Sequence, residues 1–271
     1  TKASVLYVNN WYVIENPLGR GYGDLGHLWS LAVEEQFYVV WPILLVALLA
    51  VGRRRVALGV IGALIVVVAA YRAHHLITWP DDKVRWYIDM LTGTQFRVDS
   101  LLVGAFAGWA WSTGQIPTRH LRRAAWVATA FIAACLVFVE SSGRTYEFVF
   151  VGGYTLFAIA AAIVLLAIVE TDWAPKRLLS VAPLLVIGKV SYGIYLWHNA
   201  VAWALGYYGH PISRFERLVV FLGATIALTA ASWFLVERPA LRLKRRFERR
   251  RTPVLAGEPA HTAAPAVAPT A

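Results

Sequence analysis

Between His27 and Val51 the chain reads HLWSLAVEEQFYVVWPILLVALLAV. From Val39 onward this is an apolar run of the kind that crosses a bilayer, yet its first third carries Ser30, Glu34, Glu35 and Gln36. A carboxylate inside a membrane segment costs about 2.5–3.5 kcal/mol on insertion scales. Two in adjacent positions are not explained by packing alone. This helix therefore reads as one wall of a polar site within a membrane protein.

The composition agrees. Of 271 residues, 58% are hydrophobic and only 15% charged, with a mean hydropathy of +0.55. Soluble domains run nearer about 45–50% apolar and about 25% charged. The 12 Trp and 12 Tyr suit interfacial belts, where a ring with one polar atom sits at headgroup level. A net charge of +10 would point to nucleic acid in a soluble protein, but here it lies in short loops and one tail, so no nucleic-acid partner is expected. Cys135, the one cysteine, lies in an apolar run, which excludes a disulfide framework and a thiolate metal site. No metal-ligand spacing and no phosphate-cradling glycine loop is present, so no metal and no bound cofactor is expected.

Runs of about 20 apolar residues predict an all-α, polytopic transmembrane bundle of about seven helices, near 28–51, 56–77, 95–111, 124–139, 148–169, 183–205 and 217–236. Every second connection is basic: Arg53–Arg55, then Arg119, Arg122 and Arg123, then Lys176 and Arg177, then the run RPALRLKRRFERRR. Those connections should face the cytoplasm of a multi-pass plasma-membrane protein, the C-terminus included. Arg214 and Arg217, on the opposite side, fit this least well. Residues 1–27 then form an extracytoplasmic loop, 28–238 the bundle, and 239–271 a tail that is first basic, against anionic membrane lipid, and then disordered. Residues 78–94 are read as a loop, with His74 and His75 solvated beside it.

Three of these helices bring polar groups to a similar depth in the outer half. On the first, Glu34, Tyr38 and Trp41 follow helical spacing and share a face. At the outer end of the third, Arg97 and Asp99 are two residues apart and cannot face each other, so each needs a partner on another helix or on a ligand. On the sixth, Ser191, Tyr195 and His198 share a face, and Gly188 and Gly193 permit close packing. Glu34, Arg97 and His198 are the candidate catalytic residues, and Ser30, Tyr38, Asp99, Ser191 and Tyr195 the candidates to contact substrate. A purely structural role, such as a Glu34–Arg97 pair locking two helices, is the competing reading.

The string HLWSLAVEEQFYVVWP closely resembles the signature of the acyltransferase-3 family of integral-membrane acyltransferases. FRVDSLLVGAFAG, GKVSYGIYLWHNAV and VERPALRLKRR follow in the family's order, so the resemblance runs to about residue 246. It implies transfer of an acyl group, acetyl by expectation, from cytoplasmic acyl-CoA to a hydroxyl of an extracytoplasmic carbohydrate or lipid-linked acceptor. It places the family's Glu, Arg and late-helix His on Glu34, Arg97 and His198. Such proteins also carry a first helix with a basic residue and a His. This sequence has no such helix and begins at Thr1, so the resemblance implies that N-terminal helices are absent and that the chain alone is inactive. The alternative is a transporter or flippase of a small polar substrate, since intramembrane ionisable residues also mark transport paths.

Overall fold

The computed structural model describes residues 2–16, 25–50, 52–78, 83–138, 145–207 and 213–251, and every regular element among them is helical. In chain order these are α1 (Lys2–Val5), α2 (Asn9–Glu15), α3 (Trp29–Ala50), α4 (Arg54–Ile77), α5 (Lys83–Thr92), α6 (Thr94–Ser112), α7 (Leu121–Phe138), α8 (Thr145–Phe148), α9 (Tyr154–Glu170), α10 (Pro175–Leu179), α11 (Ala182–Tyr207), α12 (Arg214–Ser232) and α13 (Arg238–Arg251). Two π-helical turns, Val149–Gly153 and Trp233–Glu237, precede α9 and follow α12.

All seven expected spans fall on helices, but the expected count of about seven is not confirmed. Among the described residues, five segments are long and apolar enough to cross a membrane: Gly26–Ala50, Arg54–Ile77, Thr118–Phe138, Val149–Glu170 and Arg214–Lys244. The two expected spans outside that set, α6 and α11, are the ones whose apolar character is diluted by polar residues. Gln95, Arg97 and Asp99 do this in α6, and Lys189, Ser191, His198 and Asn199 in α11.

Outward-facing side chains are apolar along the spans. Val39, Ile43 and Val46 on α3 and Val66 and Val67 on α4 are all well exposed. Lipid is the solvent that makes such a surface stable, because hydrocarbon tails replace the apolar neighbours that a soluble core would supply. At 22 residues, α3 is about 33 Å long and matches the hydrocarbon thickness despite Pro42 in its interior.

Two stretches expected to be loops are partly helical. The first 27 residues hold α1 and α2, and 78–94 holds α5. Sequence explains both in retrospect: Val13 and Ile14 of α2 bury against Ile88 of α5, so each short helix supplies the other's apolar cover. Arg214 and Arg217, which fitted the charge pattern poorly as loop residues, lie in the first turn of α12. That turn is closed by a capping box: Glu216 N–H donates to Ser213 Oγ at 3.2 Å, and Ser213 N–H to the Glu216 carboxylate at 2.8 Å. The basic run is helical as α13, and the expected disordered stretch 252–271 lies outside the described residues.

The chain divides into two compact units, residues 1–188 with 199–210, and residues 189–198 with 211–271. In the first, α6 lies between α4 and α9, with α3 also against α6 and α7 against α9. Leu48, Ala57, Ile61 and Leu102 form the α3–α4–α6 core, and Leu121, Ala125, Ala167 and Trp173 the α7–α9 core. In the second unit, Gly193 of α11 is buried against α12, where a Cβ would meet Thr229 Cγ2 at 3.1 Å. Gly188, the other glycine expected to allow close packing, has open space at its Cβ position. Gly193→Val should therefore cost about 1–3 kcal/mol by overpacking, read as a lower thermal midpoint in detergent. Gly188→Val should leave the midpoint in place, and the same shift for both would contradict this packing.

Candidate functional site

The centre of the first unit is a fully buried guanidinium. Arg72, on the last turns of α4, uses all five of its N–H groups. Nε donates to the Phe150 carbonyl (2.8 Å), Nη1 to the Phe96 carbonyl (2.6 Å) and to Asp99 Oδ1 (3.0 Å). Nη2 donates to Asp99 Oδ2 (3.0 Å) and Thr155 Oγ1 (2.7 Å). The Thr155 hydroxyl donates in turn to Asp99 Oδ2. Arg72 and Asp99 both have side-chain exposures of 0%. A buried ion pair is tolerable only when its remaining donors and acceptors are satisfied, and here they are. The Phe150 carbonyl comes from the π-turn that opens α9, an irregularity of the kind that releases backbone groups for other partners.

Asp99 thus finds the partner on another helix that its spacing from Arg97 requires. Arg97 points elsewhere. Its guanidinium carbon lies 3.6 Å from the centre of the Tyr154 ring and 5.6 Å from that of Trp29. A cation held over two rings is attracted by their quadrupoles, and the Tyr154 side chain also hydrogen-bonds the guanidinium. Nη1 of Arg97 is buried and has no hydrogen-bond partner among the described residues. A buried donor without an acceptor costs about 1–3 kcal/mol, so it marks a position where an acceptor is wanted.

Among the described residues Glu34 and Arg97 form no ion pair. The lock between helices is Arg72–Asp99, not the Glu34–Arg97 pair that could have served. Glu34 and Ser30 are half-buried on α3. Tyr38, expected on the same inward face as Glu34 and Trp41, is 55% exposed, whereas Trp41 stacks on Phe37 at 5.5 Å and packs on the core. Gln36 is tied into a closed ring: its Nε2 donates to Asn10 Oδ1 (3.0 Å), Asn10 Nδ2 to Thr94 Oγ1 (2.9 Å), and the Thr94 hydroxyl to Gln36 Oε1. This ring pins α2 to α3 and α6. Beside it a cleft of about 630 Å³ runs from Trp11, Gln36, Thr94 and Gln95 at its polar end to Leu44 and Leu64 in the apolar core.

His75, expected to be solvated, is half-buried. It stacks on Trp86 (6.2 Å), lies tilted against Phe96 (4.9 Å) and is 4.0 Å from Asp89. Asp89 also accepts from Gln95 Nε2 (3.1 Å). Burial pushes the Asp89 carboxyl above the ordinary aspartate range, with His75, the Gln95 hydrogen bond and Arg85 opposing the rise.

In the second unit, His198 Nδ1 faces the backbone carbonyls of Tyr195 (2.7 Å) and Ile194 (3.2 Å). A carbonyl can only accept, so Nδ1 carries the proton and the basic lone pair of a neutral ring sits on Nε2. The Tyr195 ring is 5.7 Å from the His198 ring, and Ser191 is exposed.

Arg72, Thr155, Tyr154, Trp29 and Asp89 were not singled out from the sequence, and His75 was expected in solvent. Arg72 alone had a usable signal, as the only Lys, Arg, Asp or Glu between Val56 and Ile77. The others become visible only once the fold brings α3, α4, α5, α6 and α9 together.

A helical membrane bundle that buries one ion pair and holds a second arginine over two aromatic rings matches a known sequence profile along most of its length. The acyltransferase-domain profile covers residues 3–237, and the chain belongs to the acyltransferase-3 family. It is 30% identical over 254 residues to YrhL of Bacillus subtilis (strain 168), a protein named provisionally as a peptidoglycan O-acetyltransferase. That match covers 88% of this chain and 38% of YrhL. It is 26% identical over 254 residues to the O-acetyltransferase OatA of Staphylococcus aureus (strain NCTC 8325 / PS 47), covering 88% of this chain and 40% of OatA. The chain thus spans about two fifths of the length of these curated relatives. No solved structure gives a significant match.

Proposed function

We propose that this protein is a membrane O-acyltransferase that moves an acyl group, acetyl by preference, from acyl-CoA on the cytoplasmic side to a hydroxyl of an extracytoplasmic cell-envelope glycan. Peptidoglycan is the acceptor class that the name of YrhL supports. The orientation follows from the basic connections, which leave the Trp29 end of α3 outside.

In this reaction the acceptor oxygen attacks the thioester carbonyl carbon, the hydroxyl proton passes to a base, the C–S bond breaks and CoA leaves as its thiol. Negative charge develops on the carbonyl oxygen, and donors fixed in advance at that place lower the barrier. The observation that carries this reading is the buried, unsatisfied Nη1 of Arg97, held by the Trp29 and Tyr154 rings. We assign it to the oxyanion or to an acceptor hydroxyl. Glu34 positions the acceptor, with Ser30 and Tyr38 on the same helix. His198 presents a basic Nε2, the property a proton acceptor needs, with Ser191 and Tyr195 preceding it on α11. Asp99 contributes by holding α6, and with it Arg97, in place.

Deletion of the gene should remove a class of alkali-labile acyl groups from one envelope glycan, measured as acetate released by mild base. An unchanged O-acyl content of every envelope glycan would overturn the assignment.

A further inference from the structure

At the opposite end of the bundle from Arg97, α4, α6, α7 and α9 enclose a second cleft, of about 540 Å³. Small side chains open it: Ala107 and Ala110 of α6, Ala124 of α7 and Ala162 of α9. Its lining is almost wholly carbon, and Gln115 and His120 are the polar residues that line it, both from the α6–α7 connection. Phe106 and Ile159, also in its wall, are 36% and 40% exposed, so it opens sideways as well as at its end.

Within that connection and the first turn of α7 the charged side chains are all arginines, while Glu170 and Asp172 lie at and just beyond the end of α9, which packs on α7. Arg119, Arg122 and Arg123 are exposed, and among the described residues none of them is in an ion pair. Glu170, at the end of α9, accepts instead from Trp111 Nε1. An apolar slot beneath a group of unpaired arginines fits a ligand with an anionic head and a hydrocarbon arm. The pantetheine arm of CoA carries amides that need partners, and this lining offers it almost none. A fatty acyl chain needs none. Basic pockets between transmembrane helices on the cytoplasmic side suit phospholipid headgroups, each Lys or Arg near the surface contributing about 1 kcal/mol.

We propose that this cleft holds one acyl chain of an anionic phospholipid of the inner leaflet, its phosphate against Arg119, Arg122 and Arg123. The proposal needs only that the α6–α7 connection face the cytoplasm, and it stands whether or not the transfer reading does. The site is distinct from the other basic segments that anionic lipid could reach, Arg53–Arg55, Lys176 with Arg177 and the helix α13.

Native mass spectrometry of the purified protein, with phosphatidylglycerol and phosphatidylcholine of matched chains, tests it. The parent protein should retain phosphatidylglycerol preferentially. The triple change Arg119→Gln, Arg122→Gln, Arg123→Gln should weaken that retention by roughly tenfold or more, leaving phosphatidylcholine unchanged. Ala124→Phe, which fills the slot and keeps the charge, should weaken it too. Loss with the arginine changes but not with Ala124→Phe would mean surface attraction alone, and would overturn the proposal. So would displacement of the lipid by free CoA together with loss of CoA binding in the same variants. Should Ala124→Phe fail to fold, a phosphatidylglycerol with a photoreactive chain end replaces it. Cross-links to α6, α7 or α9 support the site, and cross-links confined to α13 refute it.

Discussion

Replacing Asp99 by Ala should lower the stability of the folded protein by about 3–5 kcal/mol, because it strands the Arg72 guanidinium in the core. The loss should appear as a large drop in thermal midpoint and in the yield of folded protein from membranes. Arg72→Met should cost at least as much: it leaves not only Asp99 but also Thr155 and the carbonyls of Phe96 and Phe150 without their donor. The double change to Leu at both positions should recover only part of the loss. Two apolar residues remove the stranded charge, but they do not satisfy those backbone carbonyls. Asp99→Ala with parental stability and lost transfer would contradict this account, and would place Asp99 against substrate instead.

Arg97 should behave in the opposite way. Arg97→Lys keeps the charge but loses the planar fork that lies over Tyr154. Turnover should fall about 10²–10³-fold, the range for removing one preorganised donor at an oxyanion. Stability should change by less than about 2 kcal/mol, since only ring contacts are weakened. The contrast between the two arginines separates the part of the cluster that holds the fold from the part that acts. Matched losses of stability and turnover at both would make the whole cluster structural.

Much of this was legible in the sequence, and the failures have physical causes. The helices α3, α4, α6, α7, α9, α11 and α12 stand where apolar runs put them, because in lipid the backbone must satisfy itself within the helix. Whether α6 and α11 are spans was harder to read, because the residues that make them interesting, Arg97 and Asp99 or His198 and Asn199, also lower their hydropathy. The short helices α2 and α5 were missed because neither is stable alone, and each is helical through the other's Ile and Val side chains. Asp99 announced itself as an intramembrane charge in need of a partner. The identity of that partner did not follow, since Arg72 is 27 residues away and spacing along one helix says nothing about another. Arg97 was legible in the same way, and the family motif maps onto it too, but its aromatic contacts come from Trp29 on α3 and from Tyr154 directly after the π-turn, which no local pattern signals.

The most direct test of the central claim is a transfer assay with membranes from a strain lacking the gene. The strain is complemented with the intact gene, unchanged or carrying Arg97→Lys, at matched membrane levels. Acetyl-CoA labelled in the acetyl group is supplied to the cytoplasmic face, and base-labile label is counted in purified envelope glycan. The account predicts label with the parent protein and about 100-fold less with Arg97→Lys. Parent-protein membranes that transfer no more label than membranes without the gene would contradict it.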